Sequence, residues 1–456
     1  MINFDRSKIP QPLQEINFTL PEIKSFVLSN GLKVLFVQRE FLPIIRMNLI
    51  TGCGSIFDPK NKNGLANLFS MMIDEGAGDY NALELSEEFD ILGSSFSASC
   101  NHDNIFLSVR TLSENFERSL ELFSLIVQKP HFKDLDFKRE RRKIEVKLLQ
   151  QKDEPEELAY LAFGHLVHGK NNPYAFPVLG YDDSVNNINN DEIKDFYQNN
   201  FSPDNSHLIV VGNISEEKLI ASLETYLNKW SSKLNLIAPI FEFVKNKKSV
   251  SILNKEGTVQ TELRVGHRSS SRNTPDYFSK TIMNTILGGQ FTSRINLNLR
   301  EAKGFTYGAA SNFSYYKNSG EFCVSTSVST ENTLAAVTEI LNELENIKTG
   351  VTPQELNFAR SSIVRKFPSQ FESDGQIASN LSLLAIQNLP YDYFDKYLDN
   401  IRNVSIVEVN QAAVNNILLN EMSIVLVGDK NKLSESFVSA EIGEVKIINE
   451  KGELIS

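Results

Sequence analysis

Leu208-Ile209-Val210-Val211-Gly212-Asn213 and Ile424-Val425-Leu426-Val427-Gly428-Asp429 decide the fold of this chain. Each reads as a short apolar strand ending in glycine. Each is also preceded by the same kind of segment, residues 185–201 in one case and 401–417 in the other. There, apolar residues fall at helical spacing (Ile193, Phe196 and Tyr197; Val409, Ala412 and Ala413) before a loop leads into the strand. The two copies align without a gap at an offset of 216 residues. One helix–loop–strand pair is commonplace, but two in matched register, each closing half of the chain, predict an internal duplication.

Working outward, residues 32–37 and 45–50 read as strands and residues 112–127 and 134–152 as amphipathic helices. Pro239 and the basic residues near Lys247 break these patterns across 236–248, so the halves are expected to join there. The expected architecture is α+β. Two homologous domains, 1–238 and 239–456, would each form a twisted, mainly antiparallel sheet covered by helices.

A length of 456 residues is too great for one ordinary core, which agrees with two domains. The balance of 41% hydrophobic and 23% charged residues is that of a globular protein, and the net charge of −11 disfavours nucleic acid as a partner. Cys53, Cys100 and Cys323 form no C-x-x-C pattern and favour reduced, buried thiols. The start, Met1 to Pro10, has no apolar run of the signal-peptide kind. Apolar runs elsewhere are far shorter than the roughly 20 residues of a membrane helix. A cytoplasmic protein is expected, or a periplasmic one were the start a trimmed one.

The stretch Gly64-Leu65-Ala66-Asn67-Leu68-Phe69-Ser70-Met71-Met72 resembles the helix of the pitrilysin/insulinase metallopeptidases that carries the inverted zinc motif H-x-x-E-H. Asn67 and Met71 stand at the two histidine positions and Ser70 at the glutamate. An amide, a thioether and a hydroxyl cannot replace two imidazoles and a general-base carboxylate. The family's third ligand is a glutamate on a later helix. Anchoring residues 143–155 on Asp153 and Pro155 puts Lys147 at that position, and Glu145, two residues away, turns about 200° from that face. No metal is expected in this chain. His165 and His168 share a helical spacing of three, but no carboxylate or cysteine lies within a turn. They read as structural, and His102, His131, His207 and His267 read as isolated.

Residues 287–308 carry Gly288-Gly289, Ser293-Arg294, Leu299-Arg300-Glu301, Gly304 and Tyr307. Their register resembles the second-domain signature of the same family, L-G-G-x-x-S-R-L-x-x-x-L-R-E-x-x-G-x-x-Y. By spacing alone, Arg300 could cap helix carbonyls and Tyr307 could be an ordinary strand residue. The resemblance implies instead that Tyr307 donates to a carbonyl oxygen as it becomes an oxyanion, while Arg300 holds a substrate carbonyl. It further implies that Phe96, Ser97, Ala98 and Ser99 lie on an edge strand that pairs with extended peptides. An ordinary strand there is an equal reading.

A chain that keeps the pair and lacks the zinc residues resembles the non-catalytic subunit of heterodimeric family members. The expected partner is a homologous zinc-bearing subunit, the two chains forming halves of a clam-like chamber for unfolded peptides. A homodimer stays an open alternative when that partner is absent. The rival expectations are a structural or assembly subunit and a peptide-binding module of the same fold without proteolytic role.

Overall fold

The computed structural model describes residues 20–231 and 237–455, so Met1 to Pro10 and Leu236 of the expected join lie outside it. Strands β1 (Lys24–Val27), β2 (Lys33–Gln38), β3 (Ile44–Thr51), β4 (Ser95–Cys100), β5 (Ile105–Leu112) and β6 (Ser206–Gly212) form one sheet. Strands β7 (Ser249–Asn254), β8 (Gln260–Ser269), β9 (Ala309–Tyr315), β10 (Gly320–Ser329), β11 (Ser423–Gly428) and β12 (Glu444–Ile448) form a second. Their orders are β1-β2-β6-β3-β5-β4 and β12-β7-β11-β8-β10-β9, so five strands of each sheet follow the same path. The duplication extends to residue register. Gln38 faces Gly212 as Asn254 faces Gly428, and the helices Asn190–Asn200 and Ile406–Asn416 begin and end 216 residues apart. Only the first strand of each order breaks the match, β1 being antiparallel to β2 and β12 parallel to β7.

The expected α+β architecture with mainly antiparallel pairing is present, with the parallel pairs confined to β2–β6, β7–β11 and β7–β12. The helix expected over 112–127 starts later, at Phe116. Leu112 is held by strand pairing with Ile44, and Ser113–Asn115 make a tight turn before the helix begins.

Each sheet packs its inner face against helices of its own half. In the first, Phe69 sits among Phe132, Phe196 and Phe201, all three with ring centroids within 5.8 Å of its own. The outer faces are covered differently. Leu158, Ala159, Ala162, Phe163 and Val167, on the first-half helix Pro155–His168, lie against Leu253, Val425, Val427 and Ile448 of the second sheet. Conversely, Ile377, Ala378, Leu381 and Leu384, on the second-half helix Asp374–Ile386, lie against Leu35, Val37, Ile50, Ile209 and Val211 of the first. The halves therefore exchange helices. Ala162 and Ala378, both fully buried, stand 216 residues apart and occupy matching places in this exchange.

The halves also meet tip to tip. The loop after β4 places Asp103 so that its carboxylate accepts the Tyr174 hydroxyl (2.7 Å) and the Lys317 N–H (2.9 Å) from the β9–β10 turn. Tyr174 stacks on Tyr316 at 4.7 Å, and the edges of the His102 and His168 rings close around Tyr316. His168 Nε2 lies 3.5 Å from the Glu321 carboxylate. His102, which reads as isolated in sequence, thus shares one buried cluster with His168. The reason is topological, since a hairpin tip and a helix end far apart in the chain converge at the join.

Two predictions follow from this packing. Phe163→Ala removes a ring that is 1% exposed from the exchanged interface. It should cost about 3–5 kcal/mol in denaturant unfolding, and amide exchange should rise in β11 of the opposite half as well as locally. Near the end of helix Leu65–Met72, burial holds the Asp74 carboxyl up at about 6. The folded chain keeps a proton there that the unfolded chain releases at lower pH, so this site costs stability as pH rises from about 4 towards 6 and beyond. Asp74→Asn should therefore leave the thermal midpoint unchanged at pH 4 and raise it at pH 7.5.

Candidate functional site

The helix Leu65–Met72 starts where the sequence places it. Gly64 adopts a left-handed φ of 102°, and a Cβ there would sit 2.8 Å from the Leu179 carbonyl oxygen. The Asp58 carboxylate accepts the N–H groups of Gly64 and Ala66, each at 2.8 Å, and so satisfies two donors at the helix start. Within the helix the altered side chains turn to one another. The Asn67 amide donates to the Met71 sulfur at 3.8 Å, and the Ser70 hydroxyl, almost wholly buried, donates back to the Asn67 carbonyl at 2.7 Å. On the neighbouring helix Asp134–Gln151, Lys147 is exposed, while Glu145 pairs with Arg142 at 2.8 Å and Arg141 at 3.7 Å. This donor set does not fit zinc, which needs imidazole, thiolate or carboxylate ligands. Among the described residues no group of three or more His, Cys, Asp or Glu side chains is arranged to hold a metal ion.

Arg300 and Tyr307 meet in an open cleft of about 700 Å³. Its floor is formed by outer-face residues of the second sheet, Ala310 and Asn312 of β9, Ser325 and Ser327 of β10 and Glu262 of β8, and it is bounded by Arg264, which is buried against Glu156 of helix Pro155–His168. Arg300 rides on a π-helix, Leu297–Ala302, anchored upstream by Arg294, whose guanidinium grips Glu355 at 2.7 and 2.9 Å. That contact holds the Glu355 carboxyl down at about 2. The Arg300 guanidinium lies 4.5 Å from the centre of the Phe291 ring and its Nε 3.4 Å from Glu301. Tyr307 is 94% exposed, so its hydroxyl is free to meet another molecule.

The remaining candidate residues fall elsewhere. Asn67, Ser70, Met71 and Lys147 do not line this cleft. Phe96, Ser97, Ala98 and Ser99 lie on β4, the outermost strand of the first sheet. Ser97 and Ser99 face outward, whereas Phe96 and Ala98 pack towards the core. The equivalent edge of the second sheet is closed at Ser311, whose N–H donates to the Gly288 carbonyl at 3.0 Å. Glu156, Glu262, Arg264 and Phe291 belong to the cleft but carried no signal in sequence. Glu156 arrives from the opposite half through the helix exchange, and Phe291 falls at an unspecified position between Gly289 and Ser293.

Likeness to known proteins extends over most of the chain. Residues 33–172 match the family described as Insulinase (Peptidase family M16), and residues 187–363 match the one described as Peptidase M16 inactive domain. An uncharacterized zinc protease of Rickettsia bellii is 26% identical over 426 residues, spanning 91% of this chain and 98% of its own length. The non-peptidase homolog YmxG of Helicobacter pylori is 23% identical over 403 residues, 88% of this chain and 92% of that protein. The crystal structure of a peptidase M16 inactive domain from Pseudomonas fluorescens superposes with a TM-score of 0.83 at 26% identity, covering 89% of this chain and 98% of that one. With these two descriptions together spanning most of a duplicated chain, this protein belongs to the insulinase (M16) peptidase family.

Proposed function

We propose that this chain is the non-catalytic subunit of a two-chain zinc peptidase, lending Arg300 and Tyr307 to a homologous partner that supplies the metal and the general base. The observation that carries the reading is the exposure of Tyr307 in a wide cleft that Arg300 also lines. A phenol left almost wholly in solvent contributes little to its own fold and is well placed to act on another molecule. Its hydroxyl would donate to the carbonyl oxygen of a peptide as negative charge develops there, and the Arg300 guanidinium would hold a neighbouring carbonyl. The β4 edge, with Ser97 and Ser99 outward, would take an extended peptide by backbone pairing that is tolerant of sequence.

Mixing this chain with a zinc-bearing homologue from the same genome should yield cleavage of an unfolded peptide that neither chain gives alone. Tyr307→Phe should then lower kcat by about 10²–10³ with little change in folding; an unchanged kcat removes Tyr307 from the mechanism. A mixed pair that assembles but never cleaves favours the structural-subunit reading. Equilibrated with zinc and dialysed, the pure chain should retain well under one equivalent, measured by metal analysis.

A further inference from the structure

Two features of the segment carrying the pair go beyond the spacing of Arg300 and Tyr307. The first is the π-helix Leu297–Ala302, where the Lys303 N–H reaches five residues back to the Asn298 carbonyl at 2.9 Å. Such turns are poor in packing and recur at functional positions. Gly304, at φ 67°, then ends the helix, and the Phe305 N–H bonds to the Leu299 carbonyl at 2.8 Å. The second feature is Asn296, only 4% exposed. Its amide nitrogen donates to the Phe291 carbonyl at 2.6 Å, and its amide oxygen accepts the Ala309 N–H at 3.0 Å. One side chain therefore ties the turn before the helix to the backbone two residues beyond Tyr307. From the sheet, the Thr326 hydroxyl reaches the Gly308 carbonyl at 2.9 Å and the Thr306 hydroxyl at 3.0 Å, bracketing Tyr307 from both sides.

Phe291 completes the arrangement. Its backbone is fixed by Asn296, yet its ring is 60% exposed. An apolar ring kept in solvent gains little from burial, but it offers its face to the Arg300 guanidinium at 4.5 Å. The geometry points to Phe291 and Asn296 as positioning residues for the pair. Asn296 sets the distance between the helix and the Tyr307 backbone, and Phe291 holds the guanidinium over the cleft before any peptide arrives. Neither touches the reacting atoms. The inference rests on the proposed role of Arg300 and Tyr307 and adds the device that presets them.

The test uses the full chain mixed with its zinc-bearing homologue and a fluorogenic unfolded peptide. Phe291→Leu keeps apolar bulk and removes the ring face; it should lower kcat about ten-fold with KM changed less than about two-fold, since misplaced donors act chiefly on the chemical step. Phe291→Tyr restores the face and should return kcat to within about two-fold of the parent. Asn296→Ala should lower kcat similarly and, in the chain alone, speed amide exchange at Ala309 about ten-fold or more as its acceptor is lost. If Phe291→Leu cleaves like the parent while Tyr307→Phe does not, the positioning role of Phe291 is overturned and the reading of the pair stands. Unchanged exchange at Ala309 in Asn296→Ala overturns the role of Asn296. If neither Tyr307→Phe nor Phe291→Leu alters the rate, or if the parent pair does not cleave, the reading of the pair fails and this inference with it.

Discussion

Everything in this fold depends on the covering of two apolar sheet faces that neither half can cover from its own residues. Val425 and Val427 lie under helix Pro155–His168, and Val37, Ile209 and Val211 under helix Asp374–Ile386. Left bare, either face would expose a contiguous run of aliphatic surface, which water strongly disfavours. The exchange fixes the relation of the halves more firmly than a polar contact would. It also shapes the cleft, because helix Pro155–His168 covers residues of β7, β11 and β12 and reaches Cys323 of β10, whereas Ala310, Asn312, Ser325 and Ser327 line the open cleft.

The helix Leu65–Met72 satisfies its own polar side chains without a metal. The Asn67 amide meets the Met71 sulfur and the buried Ser70 hydroxyl meets the Asn67 carbonyl, so neither polar group is abandoned. Glu145 is engaged by arginines, and Lys147 stands in solvent. In the second half, the segment that carries Arg300 and Tyr307 is anchored by the buried Leu299 and Asn296, while Tyr307 itself stands in solvent.

Much of the strand framework was legible because apolar runs ending in glycine recur at a constant offset, and a duplication doubles every weak signal. The strands around Val34, Met47 and Val210 lie where the sequence places them, and the edge position of β4 agrees with its resemblance. The join of His102, His168 and Tyr316 was not legible, because it depends on two hairpin tips and a helix end meeting in space. The helix exchange was equally hidden, since an amphipathic pattern reports that a face is buried and not against which partner. In the cleft, Arg300 and Tyr307 could be found by register, whereas Glu156 and Phe291 needed the coordinates.

The helix exchange also bears on synthesis. The first sheet is complete in sequence at Gly212, but Leu35, Val37, Ile50, Ile209 and Val211 await a helix that ends at Ile386. At ribosomal rates of about 5–20 residues per second, that aliphatic surface stays uncapped for roughly 10–35 seconds. The first half can therefore complete its packing only after most of the second has been made.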